Sequence, residues 1–395
     1  MTRGPRGLAG EWDDLVVLCA NTAWEENPLA ARNLAAYLAD HAPVLYVDPP
    51  VSHVTALRHP VLRPSLRRPR LRIVGPRLAR LTPVVLPAKD RVGMTTVTDV
   101  LLRRAIRSAV ATLGGRVRAL VAIAPNHDPF GACDEALDVF WVHDDYAAQP
   151  ELTGIAPRLL VDGERRLAAR ADVIVAASPS LEETWRERGH DPVLIPNGCD
   201  DDLFARAGAG PTPPDVSLPP PIAVVAGRLS DRLDLALLEA VAQRDRSLLL
   251  VGPRDHRFDP PRLRALLERP TVRWIGERPF ASLPSYLGVA RVGLVPYADT
   301  AFNRGSFPLK TLEYLAAGLH VVACDLPAIR WLDTDLVTVA RSADAFADAV
   351  ERALDTPRDE ADVAARRAFA ARHSWRRRAE DWARLLGLAG RASGA

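Results

Sequence analysis

Apolar residues in this chain fall in short unbroken runs separated by longer amphipathic stretches, and the rhythm repeats over almost its whole length. In the first half, runs at 15–20, 44–47, 71–74, 120–124, 139–142, 173–176 and 193–195 predict strands. Helical spacing near 28–40, 96–113, 157–170 and 179–189 separates them. Runs that do not alternate with polar residues belong to strands covered on both faces, as in a parallel sheet. Residues 207–221 hold six prolines and two glycines in fifteen positions and read as a linker. Beyond it the rhythm restarts, with strands at 222–226, 248–251, 272–275, 292–295, 321–324 and 336–339. Helical stretches at 233–243, 260–268, 282–290, 307–317, 343–355, 359–371 and 374–387 complete the second half. The expected fold class is α/β, as two doubly wound Rossmann-like domains facing a central cleft. The first covers 1–206 and the second 222–372, with 373–395 as a terminal helix.

One segment carries more chemistry than the rest: Asn303-Arg-Gly-Ser-Phe-Pro-Leu-Lys-Thr-Leu-Glu-Tyr-Leu-Ala-Ala-Gly318. It reads as loop, short helix and turn. Ser306 is placed to cap the helix, Pro308 suits its first turn, and Gly318 ends it in a left-handed conformation. Lys310 then falls in the first turn, where the helix dipole disfavours a cation unless an anion is held there as well. Glu313 shares its face. A phosphate-binding lysine beside a hydroxyl-binding carboxylate suits a sugar nucleotide. The strand at 222–226 runs into Gly227-Arg228-Leu-Ser-Asp-Arg232, where a glycine admits a ligand close to the backbone and Arg228 can pair with a diphosphate. An ordinary strand-to-helix turn is the plain alternative.

Composition narrows the field. At 395 residues and 48% apolar content, two domains with ample cores fit. The net charge of +2 gives no nucleic-acid signal. Of 51 basic residues only Lys89 and Lys310 are lysines, so a lysine at 310 is more telling than usual. Cys19, Cys133, Cys199 and Cys324 are widely spaced, which argues for reduced, buried thiols and against a metal site. With no signal-peptide pattern and no apolar run of membrane-spanning length, a cytoplasmic protein is expected.

The second half resembles the C-terminal domain of GT-B glycosyltransferases of the large retaining class that uses nucleotide sugars. The stretches that carry the resemblance are Val225-Ala-Gly-Arg-Leu, Leu249-Leu-Val-Gly-Pro, Val272-Arg-Trp-Ile-Gly, Leu283-Pro-Ser-Tyr-Leu, Val292-Gly-Leu-Val-Pro-Tyr297 and, most specific, 308–318. In the first half, 171–179 and Leu194-Ile-Pro-Asn-Gly198 match too. Val47-Asp-Pro-Pro50 and His143-Asp-Asp-Tyr-Ala-Ala148 are similar to relatives that build cell-surface polysaccharide. The resemblance implies a nucleoside-diphosphate sugar as donor substrate, with no tightly bound cofactor and no metal. It gives the diphosphate to Arg228 and Lys310 and the ribose hydroxyls to Glu313. It lays the phosphates near Gly227, Ser306, Pro308 and Leu309, and the nucleobase by 276–279, where Arg278 stands. The terminal helix is implied to pack back on the first domain. The chain departs from the family where Gly305 replaces a second glutamate, with Asp299 or Asn303 as substitutes. Arg232 stands one position out of register for a second phosphate cation, and Asn21-Thr-Ala-Trp-Glu-Glu26 replaces a Gly-Gly loop.

In the first domain, His143 and Asp144 end a strand and are candidates to orient an acceptor hydroxyl. Helix capping by Asp144 or Asp145 is the competing reading. The acceptor class spans a glycan, a lipid-linked glycan or a small natural product. Arg58, Arg63, Arg67, Arg68, Arg70, Arg72, Arg77 and Arg80 form a stretch with no acidic residue, so 58–80 is a candidate contact for the inner face of an anionic membrane. A solvated face or a mobile loop is the commoner explanation of such a stretch. Trp12, Trp24 and Trp141 are candidates for stacking on sugars, and core packing is the commoner use of each. Two other functions stay open: a non-catalytic nucleotide-sugar-binding partner protein, and a sugar-nucleotide epimerase.

Overall fold

The computed structural model describes residues 11–25, 30–58, 63–64, 66, 69–91, 93–145 and 155–388. The chain divides into two compact units, residues up to 196 together with those from 378, and residues 197–377. Arg67, Arg68 and Tyr146–Ala148 lie outside the described residues, as do the N-terminal ten and the start of the helix expected near 28–40.

The first unit is built on an eight-stranded sheet: β1 (Leu15–Cys19), β2 (Val44–Val47), β3 (Leu71–Gly75), β4 (Leu78–Leu81), β5 (Val117–Ala122), β6 (Asp138–Val142), β7 (Val173–Ala176) and β8 (Val193–Leu194). The order is β3-β4-β2-β1-β5-β6-β7-β8, and every pairing is parallel except the β3–β4 hairpin. The central strands β1 and β2 are buried along their whole length, as their unbroken apolar runs require. The hairpin corrects the expectation of a lone parallel strand at 71–74. Residues 378–386 belong to this unit. Trp382 meets Trp141 edge to face at 5.1 Å, and Arg118 Nε donates to the Leu386 carbonyl at 2.6 Å.

Arg80 is what hides β4 from a hydropathy reading. This strand is buried, yet its third residue is a guanidinium. Arg80 Nε donates to Asp48 Oδ2 at 2.8 Å and its Nη1 to Glu25 at 2.6 Å. Thr82 Oγ1 donates to the same Asp48 oxygen at 2.6 Å, and the Trp24 backbone N–H to the other at 2.9 Å. Burial pushes the Asp48 carboxyl above its ordinary value despite Arg80, while its carboxylate partners hold the Arg80 charge firmly. Arg80, counted above in a surface stretch, is therefore an internal cation. Arg72 and Arg77 are half-buried and donate to backbone carbonyls of Pro69, Asp40 and His41.

At the amino end of β6, Asp138 faces two other carboxylates. Burial, Glu135 and Asp172 raise it to about 7, against the pull of Arg170. The folded protein thus keeps a proton here that the unfolded chain releases above about pH 4. Bound protons are more numerous in the native state, so stability falls as pH rises from about 4 to about 7. Asp138→Asn is expected to flatten that slope and to make the first domain more stable than wild type at pH 8. Urea unfolding at pH 5 and pH 8 checks this, and a variant with the wild-type slope rules it out.

The second unit holds six parallel strands: β9 (Ile222–Ala226), β10 (Ser247–Val251), β11 (Val272–Trp274), β12 (Val292–Val295), β13 (His320–Cys324) and β14 (Val337–Ala340), in the order β11-β10-β9-β12-β13-β14. Helices start where short polar side chains can satisfy their free N–H groups. Asp234 accepts from Ala236 N, Thr300 from Asn303 N, Ser342 from Ala345 N and Asp359 from Ala361 N. The proline-rich segment packs on this unit. Ala207 is buried, Val216 and Leu218 pack on its core, and Asp215 binds Arg278. Both sheets reverse their winding once, between β1 and β5 and between β9 and β12, and crevices form at the carboxyl ends of such strands.

Candidate functional site

Three neighbouring strands of the second sheet end in glycine. β9 runs into Gly227 and β10 into Gly252, while β11 is followed by Ile275 and Gly276. Gly227 N–H donates to the Val251 carbonyl at 2.8 Å and Gly252 N–H to the Gly276 carbonyl at 2.9 Å. A Cβ on Gly252 would stand 2.0 Å from the Gly227 carbonyl oxygen, so no side chain fits there. Close packing of neighbouring strand ends therefore demands glycine at 252, and the three glycines leave this edge without β-carbons.

Lys310 reaches this edge. A Cβ on Gly227 would lie 3.9 Å from Lys310 Cε, so the lysine stem passes directly over that glycine. Lys310 sits in the first turn of the helix Leu309–Ala316, and its Nζ binds Glu313 Oε2 at 2.5 Å. Glu313 is buried and Lys310 half-buried. Tyr314 fixes the helix in place. Its hydroxyl accepts the Ala226 N–H at 2.8 Å, and its ring lies against Gly293, where a Cβ would come within 2.3 Å. Gly318 ends the helix in the left-handed conformation expected of it, with φ +81°.

Ser306 does not cap this helix. A shorter helix, Ala301–Gly305, precedes it, is capped by Thr300 and ends on Ser306. Pro308 takes the cap position of Leu309–Ala316 and offers no side-chain acceptor, so the first-turn N–H groups there have no side-chain cap. Leu309 follows it, half-buried.

The remaining second-domain candidates divide into one open residue and several engaged ones. Arg228 is exposed, with no hydrogen bond or ion pair among the described residues. Arg232 is sandwiched by Tyr297 and Phe302, each 4.9 Å away, and its Nε donates to Asn303 Oδ1 at 2.8 Å. Asn303 is buried and gives its amide hydrogens to the Arg232 and Ala298 carbonyls. Asp299 is exposed and paired with Arg304 at 2.5 Å. Both substitutes for the glutamate missing at Gly305 are thus already bonded. Arg278 binds Asp215 at 2.6 Å and Tyr286 Oη at 3.0 Å, tying down the proline-rich segment.

In the first domain, His143 and Asp144 follow β6. His143 Nδ1 lies 2.8 Å from Asp144 Oδ2, and its Nε2 is buried with no partner among the described residues. Trp141 meets the ring edge to face at 5.3 Å. Trp12 and Trp141 are core residues with no face for a sugar, and half-buried Trp24 has Arg32 over its ring at 4.5 Å and Tyr46 edge to face at 5.2 Å.

A cavity of about 350 Å3 opens at the carboxyl ends of β1, β2 and β5, where the first sheet reverses its winding. Asp90 is the hub of its polar wall. It binds Lys89 Nζ at 2.6 Å, accepts from Asn126 Nδ2 at 2.7 Å and lies 3.2 Å from His127 Nε2. Asp99 holds the other His127 nitrogen at 3.2 Å. Burial alone pushes His127 down, but the two carboxylates more than offset it and leave it above its ordinary value. Burial likewise pushes Asp90 up, and its three partners hold it well below the usual carboxylate range. Sequence reasoning missed this cluster. Its one signal was that Lys89 is the other lysine of an arginine-rich chain. Among the described residues, no group of three or more His, Cys, Asp or Glu is arranged to hold a metal, and no helix is long and apolar enough to cross a membrane.

Comparison with known proteins bears on the family and the fold. Residues 220–356 match the family described as Glycosyl transferases group 1, a stretch that contains Gly227, Lys310 and Glu313. A Bacillus subtilis protein, provisionally named as the teichuronic acid biosynthesis glycosyltransferase TuaH, is 29% identical over 234 residues. That match covers 55% of this chain and 57% of the relative, so it spans little more than half of either protein. Sucrose-phosphate synthase of Thermosynechococcus elongatus superposes with a TM-score of 0.68 at 18% identity, over 95% of this chain and 98% of its own. The Anabaena protein HepE, solved with UDP and glucose, superposes at 0.62 with 14% identity, over 95% of this chain and 99% of its own. At such identities these likenesses establish the fold.

Proposed function

We infer, for a chain that carries a group 1 glycosyltransferase domain in a GT-B fold, that it moves a hexose-type sugar from a nucleoside diphosphate to an acceptor hydroxyl. The observation that carries this reading is the Lys310–Glu313 pair on an uncapped helix terminus, with the lysine lying over Gly227. Lys310 and Arg228 offer two cations to a diphosphate, and the amino end of the helix adds the partial positive charge of its dipole. A diphosphate that takes Lys310 away from Glu313 frees that carboxylate to accept hydrogen bonds from ribose hydroxyls. These fixed charges stabilise the departing diphosphate as the bond from the sugar C1 to its phosphate oxygen breaks. The bond from C1 to the acceptor oxygen forms, and the acceptor proton ends on the leaving phosphate. A proton acceptor on the same face as the leaving group favours retention of anomeric configuration.

In the first domain, Asp144 fixes the His143 ring at 2.8 Å, and we assign this pair to orienting the acceptor hydroxyl through the partly exposed Asp144 carboxylate. The acceptor we propose is a glycan or lipid-linked glycan of the cell surface, in keeping with the name of the Bacillus subtilis relative. Within 58–80, the exposed Arg63 is the arginine we assign to contact with an anionic surface. A second reading, a nucleotide-sugar-binding partner that transfers nothing, is favoured by one observation: Gly305 lacks the carboxylate, and Asn303 and Asp299 are already bonded.

Thermal unfolding with UDP, GDP and dTDP, with Lys310→Ala alongside, tests the donor site. A nucleotide at a hundred times its dissociation constant adds about 2.7 kcal/mol. Protection of wild type by one of them, lost in the variant, is the expected result. No protection by any of the three, or equal protection of both proteins, overturns the assignment.

A further inference from the structure

At the opposite edge of the second sheet, where β9, β12 and β13 begin, a second pocket opens with a volume of about 180 Å3. Its polar wall consists of Arg291, His320, Arg358 and Arg366, and no carboxylate lines it. Arg366, in the helix Glu360–Arg372, is buried. Its Nη1 donates to the Gly318 carbonyl at 3.3 Å, and its Nη2 lies 3.0 Å from the nearer nitrogen of His320. The carboxylate paired with it, Asp362, is 3.5 Å away and more than half exposed. Arg291 gives Nη1 to the Thr356 carbonyl at 2.5 Å, and Arg358 is exposed, with Nε on Glu360 at 3.2 Å.

A guanidinium out of water needs a counter-charge, and the partners of Arg366 are mostly neutral. Burial and the field of Arg358 lower its proton affinity against the pull of Asp362 and Asp359. His320 is pushed down in turn by burial, Arg366 and Arg291, against the pull of Asp362, and an imidazole in either form brings no negative charge. Three guanidiniums around a cavity without a carboxylate attract a compact anion of high charge, and their planar forks match tetrahedral oxygens. The pocket is too small for a nucleoside. It is also distinct from the candidate donor site, since the length of β9 separates Ile222 from Gly227 by roughly 15 Å.

We propose that this pocket binds a phosphate group, carried by inorganic phosphate or by a small phosphate ester. The site lies outside every residue assigned to sugar transfer, so the two readings stand or fall separately. The full chain is titrated with inorganic phosphate, and separately with glucose 6-phosphate, at ionic strength balanced with sodium chloride. Melting temperature is followed in wild type, Lys310→Ala, Arg358→Gln and Arg291→Gln. Phosphate is expected to raise the melting temperature of wild type and Lys310→Ala alike, by at least about 2 °C. Both arginine variants lose most of that rise. An equal rise with the ester shows that the pocket admits one, and a rise with inorganic phosphate alone shows that it takes the free ion. A rise that disappears in Lys310→Ala and survives in Arg358→Gln overturns the proposal, because the phosphate then occupies the donor edge. No rise with either probe overturns it as well.

Discussion

Lys310→Ala is expected to lower sugar-transfer turnover at least about tenfold while leaving the unliganded protein folded. The asymmetry follows from its position. Lys310 is half-buried, touches Glu313 and the backbone at Gly227, and fills no core space. Its removal leaves the buried Glu313 carboxylate without its cation, a cost to folding that uptake of a proton by Glu313 limits. It also takes away a fixed cation where a leaving diphosphate gathers negative charge, and such charges act mainly on the transition state. Glu313→Ala should lose activity to a similar extent, with the larger share in KM because ribose contacts exist before the reaction begins. Turnover and KM for both variants, with circular dichroism to confirm folding, decide the matter. Wild-type turnover in both sinks the assignment of this edge to the donor.

Asp48→Ala should destabilise the first domain by about 3 kcal/mol, because it strands a buried guanidinium. Arg80 keeps Glu25, so the loss should fall short of full isolation, but Thr82 and the Trp24 N–H lose their acceptor at the same time. The partner variant gives the sharper test. Arg80→Met in the Asp48→Ala background removes the stranded charge and should restore part of the stability, so the two changes are strongly non-additive. Urea unfolding of the single and double variants measures the coupling. Additive losses show that Arg80 does not depend on Asp48.

Much of this architecture was legible because parallel strands buried on both faces must be apolar without interruption. Ile222–Ala226 and Leu15–Cys19 could be read for that reason. The same logic failed at Leu78–Leu81, where a strand buries an arginine and meets its charge with carboxylates distant in sequence. Helices of five residues, such as Ala301–Gly305 and Pro327–Trp331, are too short to show a period. That is why Ser306 read as the start of one helix when it is the end of another. At the candidate donor edge, the chemistry of Lys310 and Glu313 was readable from spacing along a single helix. Gly252 and Gly276 were not, because their importance lies in which strands sit side by side. His127, Asp90 and Asp99 meet only after the first sheet has been assembled, and no local pattern announces them.

The scarcity of lysine has a practical consequence. The two ε-amines of the chain fall in the two places where a ligand is most expected, Lys89 on the wall of the first-domain cavity and Lys310 over Gly227. Reductive methylation with isotope-labelled formaldehyde would therefore place one NMR-visible dimethylamine in each domain, with the chain's amino terminus as the other reactive amine. Each domain would then report on its own ligand in a single spectrum, with no cysteine to engineer and no crowd of surface lysines to assign.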